Sequence, residues 1–148
     1  MEHKEILKFH CPRYEELPTI PLYKDQVIAY IEEVLGPLNL NRDEKLLTPT
    51  MLNNYVKQRV VRPPVGRRYT ENHLAYLIVV CLFKQVYSLT EICQMITVQT
   101  NLYPIQQAYD FFCVELERHC NTFLEHGKRL NLIRRQRLRL KQKFYVRP

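Results

Sequence analysis

Apolar residues return with a helical period in successive stretches of this chain, and each stretch is bounded by a cap or a breaker. Val27, Ile28, Ile31, Val34 and Leu35 stand at i, i+1, i+4, i+7 and i+8, which predicts a helix over Leu22 to Leu35, stopped by Gly36-Pro37. Thr48-Pro49 reads as N-cap and first position of a short helix to Gln58. Thr70 opens a helix to Tyr87 that is apolar nearly all round and is therefore expected to be central. Ser88 and Glu91 have capping-box spacing for a helix from Leu89 to Thr97, which Asn101 to Pro104 break off. A longer helix is expected from Ile105 to His126. With only three glycines in 148 residues, a glycine-turned β-sandwich is disfavoured.

The segments between helices are equally specific. Residues 1–22 carry Pro12, Pro18 and Pro21 and read as an extended arm, pinned to a core by Tyr14, Leu17 and Ile20. Residues 59–70, RVVRPPVGRRYT, hold two prolines, a glycine and four arginines, and Val60-Val61 is expected to pair with Arg67 to Tyr69 as a small ribbon. An imperfect heptad register runs across Gly127, with His119, His126 and Arg137 in its seam.

The net charge of +7 is unevenly placed. Residues 41–70 carry seven basic and two acidic side chains, and residues 128–148 carry nine basic and none acidic, while the rest of the chain is acidic on balance. Local basic stripes on a near-neutral body point to a phosphate-bearing partner. Five cysteines without a CxxC pair fit a reducing, cytoplasmic setting, with Cys81, Cys93 and Cys113 acting as small hydrophobes. No apolar run is long enough for a membrane span. No catalytic, metal or cofactor motif is present: His73 and His119 read as structural or exposed, Asp25, Glu32 and Glu33 as a solvated face, and His119 with Cys120 as a poor metal pair. The chain is not expected to be an enzyme.

The informative stretch is Thr48 to Ile92. The short helix places Met51, Leu52, Tyr55 and Val56 on one face and Thr50, Asn53, Asn54, Lys57 and Gln58 on the other. Those polar types contact base edges and phosphates, and a single helix fits a major groove. Arg59, Arg62, Arg67, Arg68 and Tyr69 follow at once and would act as a wing on the DNA backbone.

The same residues carry a resemblance. TPTMLNNYVKQRVVRPPVGRRYTENHLAYL followed by VYSLTEI resembles the winged helix-turn-helix of the MerR family, with Leu52, Tyr55, Val60, Val61, Pro63, Arg67, Tyr69, Ser88, Leu89, Glu91 and Ile92 in that family's order. The longer stretch that includes PRYEELPTIPLYKDQVIAYIE is similar to a bacterial domain-of-unknown-function family regarded as MerR-like. Departures are visible: Asn53 stands where the MerR helix carries Arg, Arg59 where a Gly follows it, and Val86-Tyr87 where a Gly precedes Ser-Leu. The resemblance implies a mainly α fold: a winged helix-turn-helix in residues 1–104 and a C-terminal helix and basic tail in 105–148. It implies a bacterial transcriptional regulator that binds double-stranded DNA, and residues 105–144 are the expected dimer element. The residues alone leave open a helical interaction module whose basic loop and tail bind an acidic partner, RNA or an anionic membrane.

Overall fold

The computed structural model describes residues 9–120. An arm leads through a single 3-10 turn at Tyr14–Glu16 into α1 (Lys24–Leu35), followed by the turn Gly36–Leu38, α2 (Pro49–Lys57), α3 (Glu71–Phe83) and α4 (Leu89–Leu102). A further helix, α5, occupies 105–120. The expected tail and the part of the proposed dimer element beyond residue 120 lie outside the described residues.

Helix α3 is the hub. His73, Leu74, Ala75, Leu77, Ile78, Val80 and Cys81 are all buried along it, as its all-round apolar sequence requires. It packs on α1 and α4, and α1 also carries α2. The stripe of α1 buries Val27, Ile31 and Leu35. One apolar cluster runs from Cys11 in the arm to Cys113 in α5, so the turn at residue 104 marks no gap in the core. Phe83 and Phe112 meet edge to face at 5.4 Å and join α3 to α5.

Local chemistry sets the ends of the elements. The Thr48 hydroxyl accepts the Met51 N–H at 3.1 Å, with Pro49 at the first helical position. Ser88 and Glu91 exchange hydrogen bonds, Ser88 N–H to Glu91 Oε2 at 3.1 Å and Glu91 N–H to Ser88 Oγ at 3.2 Å, the reciprocal pattern of a capping box. Helix α1 begins at Lys24 rather than Leu22, because Leu22 exchanges backbone hydrogen bonds with Tyr69 at 2.9 and 2.8 Å. Helix α3 ends at Phe83, and Val86 and Tyr87 close a turn onto the Phe83 carbonyl. Helix α4 continues past Thr97 to Leu102, and inside it the Thr97 and Thr100 hydroxyls turn back onto the carbonyls of Cys93 and Ile96 instead of breaking the helix. The break comes at Tyr103-Pro104, where proline forbids the helical conformation of the residue before it.

Two expectations are corrected. Ile20 is 75% exposed and does not pin the arm; Leu17 is buried and does. Glu32 is not a solvated surface acid: Oε1 accepts the backbone N–H groups of Leu46 and Leu47 at 2.8 and 3.3 Å. One α1 carboxylate thereby seats the connection that delivers the chain to α2.

The expected ribbon between Val60-Val61 and Arg67 to Tyr69 is not formed, and no extended strand is present among the described residues. Val60 and Val61 direct their N–H groups to the Tyr55 carbonyl at 2.9 and 3.2 Å, so the end of α2 consumes them. Two isolated bridges take the ribbon's place, Val65 with Arg68 and Leu22 with Tyr69.

Candidate nucleic-acid interface

Helix α2 is two-faced. Leu52 and Tyr55 are buried on its inner side. Thr50, Asn53, Asn54 and Lys57, at i, i+3, i+4 and i+7, form one exposed polar stripe, with Gln58 exposed beside it. The amides that burial would have disqualified are therefore at the surface.

The helix then stops in an unusual way. Arg59 has φ +62°, in the left-handed region. Its N–H reaches the Val56 carbonyl at 3.1 Å, and the Val60 N–H reaches the Tyr55 carbonyl at 2.9 Å, the paired hydrogen bonds of a Schellman stop. The position normally taken by glycine is held by an exposed arginine. The same substitution of charge for conformational ease recurs in the loop. Val65 and Arg68 exchange N–H···O bonds at 3.1 Å each, closing a two-residue hairpin over Gly66 (φ +58°) and Arg67 (φ +63°). Positive φ at both central residues is the signature of the type I′ hairpin turn. Arg67 and Arg68 project from its tip and side, both exposed, with Arg62 exposed ahead of it. Among the described residues none of Arg59, Arg62, Arg67 and Arg68 is paired with a carboxylate.

Two residues that the sequence did not single out join the helix to the hairpin. Lys24 Nζ donates to Asn53 Oδ1 at 2.6 Å. Its neighbour Tyr23 accepts a hydrogen bond from Arg68 Nη2 at 3.1 Å, and the Arg68 guanidinium lies 5.3 Å from the centre of the Tyr23 ring. Consecutive residues at the start of α1 thus touch both the exposed face of α2 and the hairpin. A signal was present in the sequence. Lys24 is the first residue of α1, where a positive charge opposes the helix dipole and is disfavoured unless something else uses it.

Tyr69 leaves the candidate surface. It is 2% exposed, its backbone is bonded to Leu22, and its ring meets His73 edge to face at 5.3 Å. In an extended segment alternate side chains turn inward, and Tyr69 takes the inward place between Arg68 and Thr70. His73 is structural, as expected of it. Its Nδ1 accepts the Thr70 N–H at 3.0 Å, which leaves Nε2 to donate to the Pro63 carbonyl at 3.2 Å. A buried imidazole on the hub helix so clamps the Pro-rich segment that carries the hairpin.

Among the described residues, no group of three or more His, Cys, Asp or Glu side chains could hold a metal ion, and no helix is long and apolar enough to cross a membrane. No curated protein and no solved structure matches the chain. A family model described as a domain of unknown function, DUF1836, matches residues 12–112. That span takes in the arm from Pro12 onward, α1 to α4, the hairpin and the first half of α5. Because the match covers most of the chain and every residue of the candidate interface, the chain belongs to the DUF1836 family.

Proposed function

We propose that this protein binds double-stranded DNA as a MerR-like winged helix-turn-helix and serves as a bacterial transcriptional regulator. Helix α2 enters the major groove with Thr50, Asn53, Asn54, Lys57 and Gln58 towards base edges and adjacent phosphates. The hairpin forms a minimal wing, and Arg59, Arg62, Arg67 and Arg68 hold the backbone on either side. The observation that carries this reading is the pair Tyr23–Lys24. Contact of Lys24 with Asn53 and of Tyr23 with Arg68 puts the polar stripe and the wing within one residue's reach of a common point. A single duplex can engage both only if they share a side. The N-terminal end of α1 then lies across the backbone, as the first helix of a helix-turn-helix does.

Phosphate contacts release counterions, so affinity falls with salt at a slope set by their number. Replacing Arg67 and Arg68 together by Ala is expected to weaken binding uniformly across sequences and to flatten the log–log salt slope by about 2. Asn54→Ala is expected instead to relax sequence preference with little change in slope. The experiment is a selection from random duplexes at two salt concentrations, followed by anisotropy titrations of the variants. A palindromic site would fit two copies on related half-sites. Unchanged affinity in the double Arg variant would overturn the wing. Enrichment without any sequence preference would favour the interaction-module reading.

A further inference from the structure

Where the arm crosses α5, two thiols far apart in sequence meet in the core. Cys11 Sγ and Cys113 Sγ are 3.2 Å apart, and both residues are fully buried. The chain is held to this crossing by several bonds. The Cys11 N–H donates to Glu117 Oε1 at 2.9 Å, Arg13 forms a two-pronged pair with Glu117 at 2.9 Å on each prong, and the Tyr14 N–H donates to Asp110 Oδ1 at 2.8 Å. The Tyr109 hydroxyl donates to the Pro12 carbonyl at 2.7 Å and lies 4.0 Å from Cys11 Sγ.

We propose that Cys11 and Cys113 are an oxidation site, a dithiol that a hydroperoxide converts to a disulfide joining the arm to α5. The proposal is independent of the DNA-binding reading. The geometry needs little adjustment. Drawing the sulfurs to a disulfide bond length of ~2.05 Å takes a movement of roughly half an ångström from each side chain. The surroundings also divide the labour. The Cys11 S–H donates to the Cys113 sulfur, and together with the nearby Arg13 guanidinium this holds the Cys113 thiol below its ordinary value despite burial. Cys11 is pushed up by the same hydrogen bond and by burial. Cys113 is thus the thiol that ionises more readily and attacks, and Cys11 the resolving thiol.

The steps balance. The Cys113 thiolate attacks one peroxide oxygen, the O–O bond breaks, and the leaving hydroxide takes a proton to become water. The resulting sulfenic acid is attacked by Cys11 sulfur, the S–O bond breaks, and the second hydroxide leaves as water with the Cys11 proton. Two thiols lose two electrons and one hydroperoxide gains them. Peroxide reaches the buried sulfurs through local opening of the crossing between the arm and α5.

The test uses the reduced full-length protein, titrated with hydrogen peroxide, alkylated, and mapped as peptides without reduction. A linked Cys11–Cys113 peptide is expected ahead of any pair containing Cys81, Cys93 or Cys120. Because the bond closes a long loop, the oxidised protein should melt about 10 °C higher, and dithiothreitol should reverse the gain. Cys93→Ser, on the half-buried face of α4, should leave both results intact. Cys11→Ser should show no melting gain and should leave Cys113 as a sulfenic acid trapped by dimedone. The proposal fails if Cys11 and Cys113 remain alkylated while Cys93 is oxidised. It also fails if Cys113 runs on to sulfinic acid with Cys11 still free, or if the linked form melts no higher than the reduced one.

Discussion

Tyr55 carries a hydroxyl into the core where it meets no hydrogen-bond partner among the described residues. Burial, and to a lesser degree the neighbouring Cys81, pushes that phenol up to about 12. An unsatisfied buried polar atom costs about 1–3 kcal/mol, so its removal is favourable where the ring's packing is kept. Tyr55→Phe is therefore expected to raise stability by about 1 kcal/mol, read as a higher denaturant midpoint at constant m-value. Tyr55 faces inward from α2, away from the proposed interface, so the substitution tests the core alone. Single residues were also where the sequence was hardest to read. Tyr69 sits among four arginines, and its inward turn depends on pairing with Leu22, far upstream. Local spacing holds no trace of that partner. Asn53, Asn54 and Lys57 were legible because a helix of known phase decides which side chains its buried face excludes.

The ends of α2 show how an element can hold two demands at once. Its start follows a local code, Thr48 then Pro49, readable from sequence alone. Its end departs from that code, with Arg59 in the conformation that glycine adopts freely. A side chain there costs about 1 kcal/mol or more. Arg59→Gly is expected to raise stability by about 0.5–1 kcal/mol and, if the proposed interface is right, to weaken DNA binding with a loss of about 1 in salt slope. Thermal melts and anisotropy titrations of the same preparation should move in opposite directions. A variant that loses stability would show that the arginine is packed rather than strained. Arg67, in the hairpin turn, repeats the pattern. The elements themselves were mostly visible beforehand, because caps and apolar stripes are local. What failed was local in appearance only. The expected ribbon is absent because the end of α2 claims Val60 and Val61 first, and α4 runs on to the true breaker, Pro104.

Across the whole molecule the arm is the long-range structural device. Its ion pair with α5 joins residues 104 apart, and the Arg13 guanidinium, with a contribution from the Cys11 N–H, holds the Glu117 carboxyl below the usual carboxylate range. His10 Nδ1 also lies 3.0 Å from Glu117 Oε1. A carboxylate whose folded value is depressed stabilises the fold above its unfolded value, near 4.5, and that contribution is lost as pH falls through the folded value. The difference in Tm between the wild type and Glu117→Gln should accordingly be full at neutral pH and shrink as pH falls below about 4.5. A gap that stays constant down to pH 3 would mean that packing, not charge, holds the arm. None of this was legible in sequence, where Arg13 and Glu117 are ordinary charges on separate segments.

The arm has another end. It finishes at Leu22, whose backbone grips Tyr69 beside the hairpin, and two prolines, Pro18 and Pro21, lie between that grip and the seat on α5. Fixed φ angles make such a segment a stiff spacer rather than a slack string. The perch from which Arg67 and Arg68 are offered is thus moored, through one short and stiffened length of chain, to the opposite pole of the molecule.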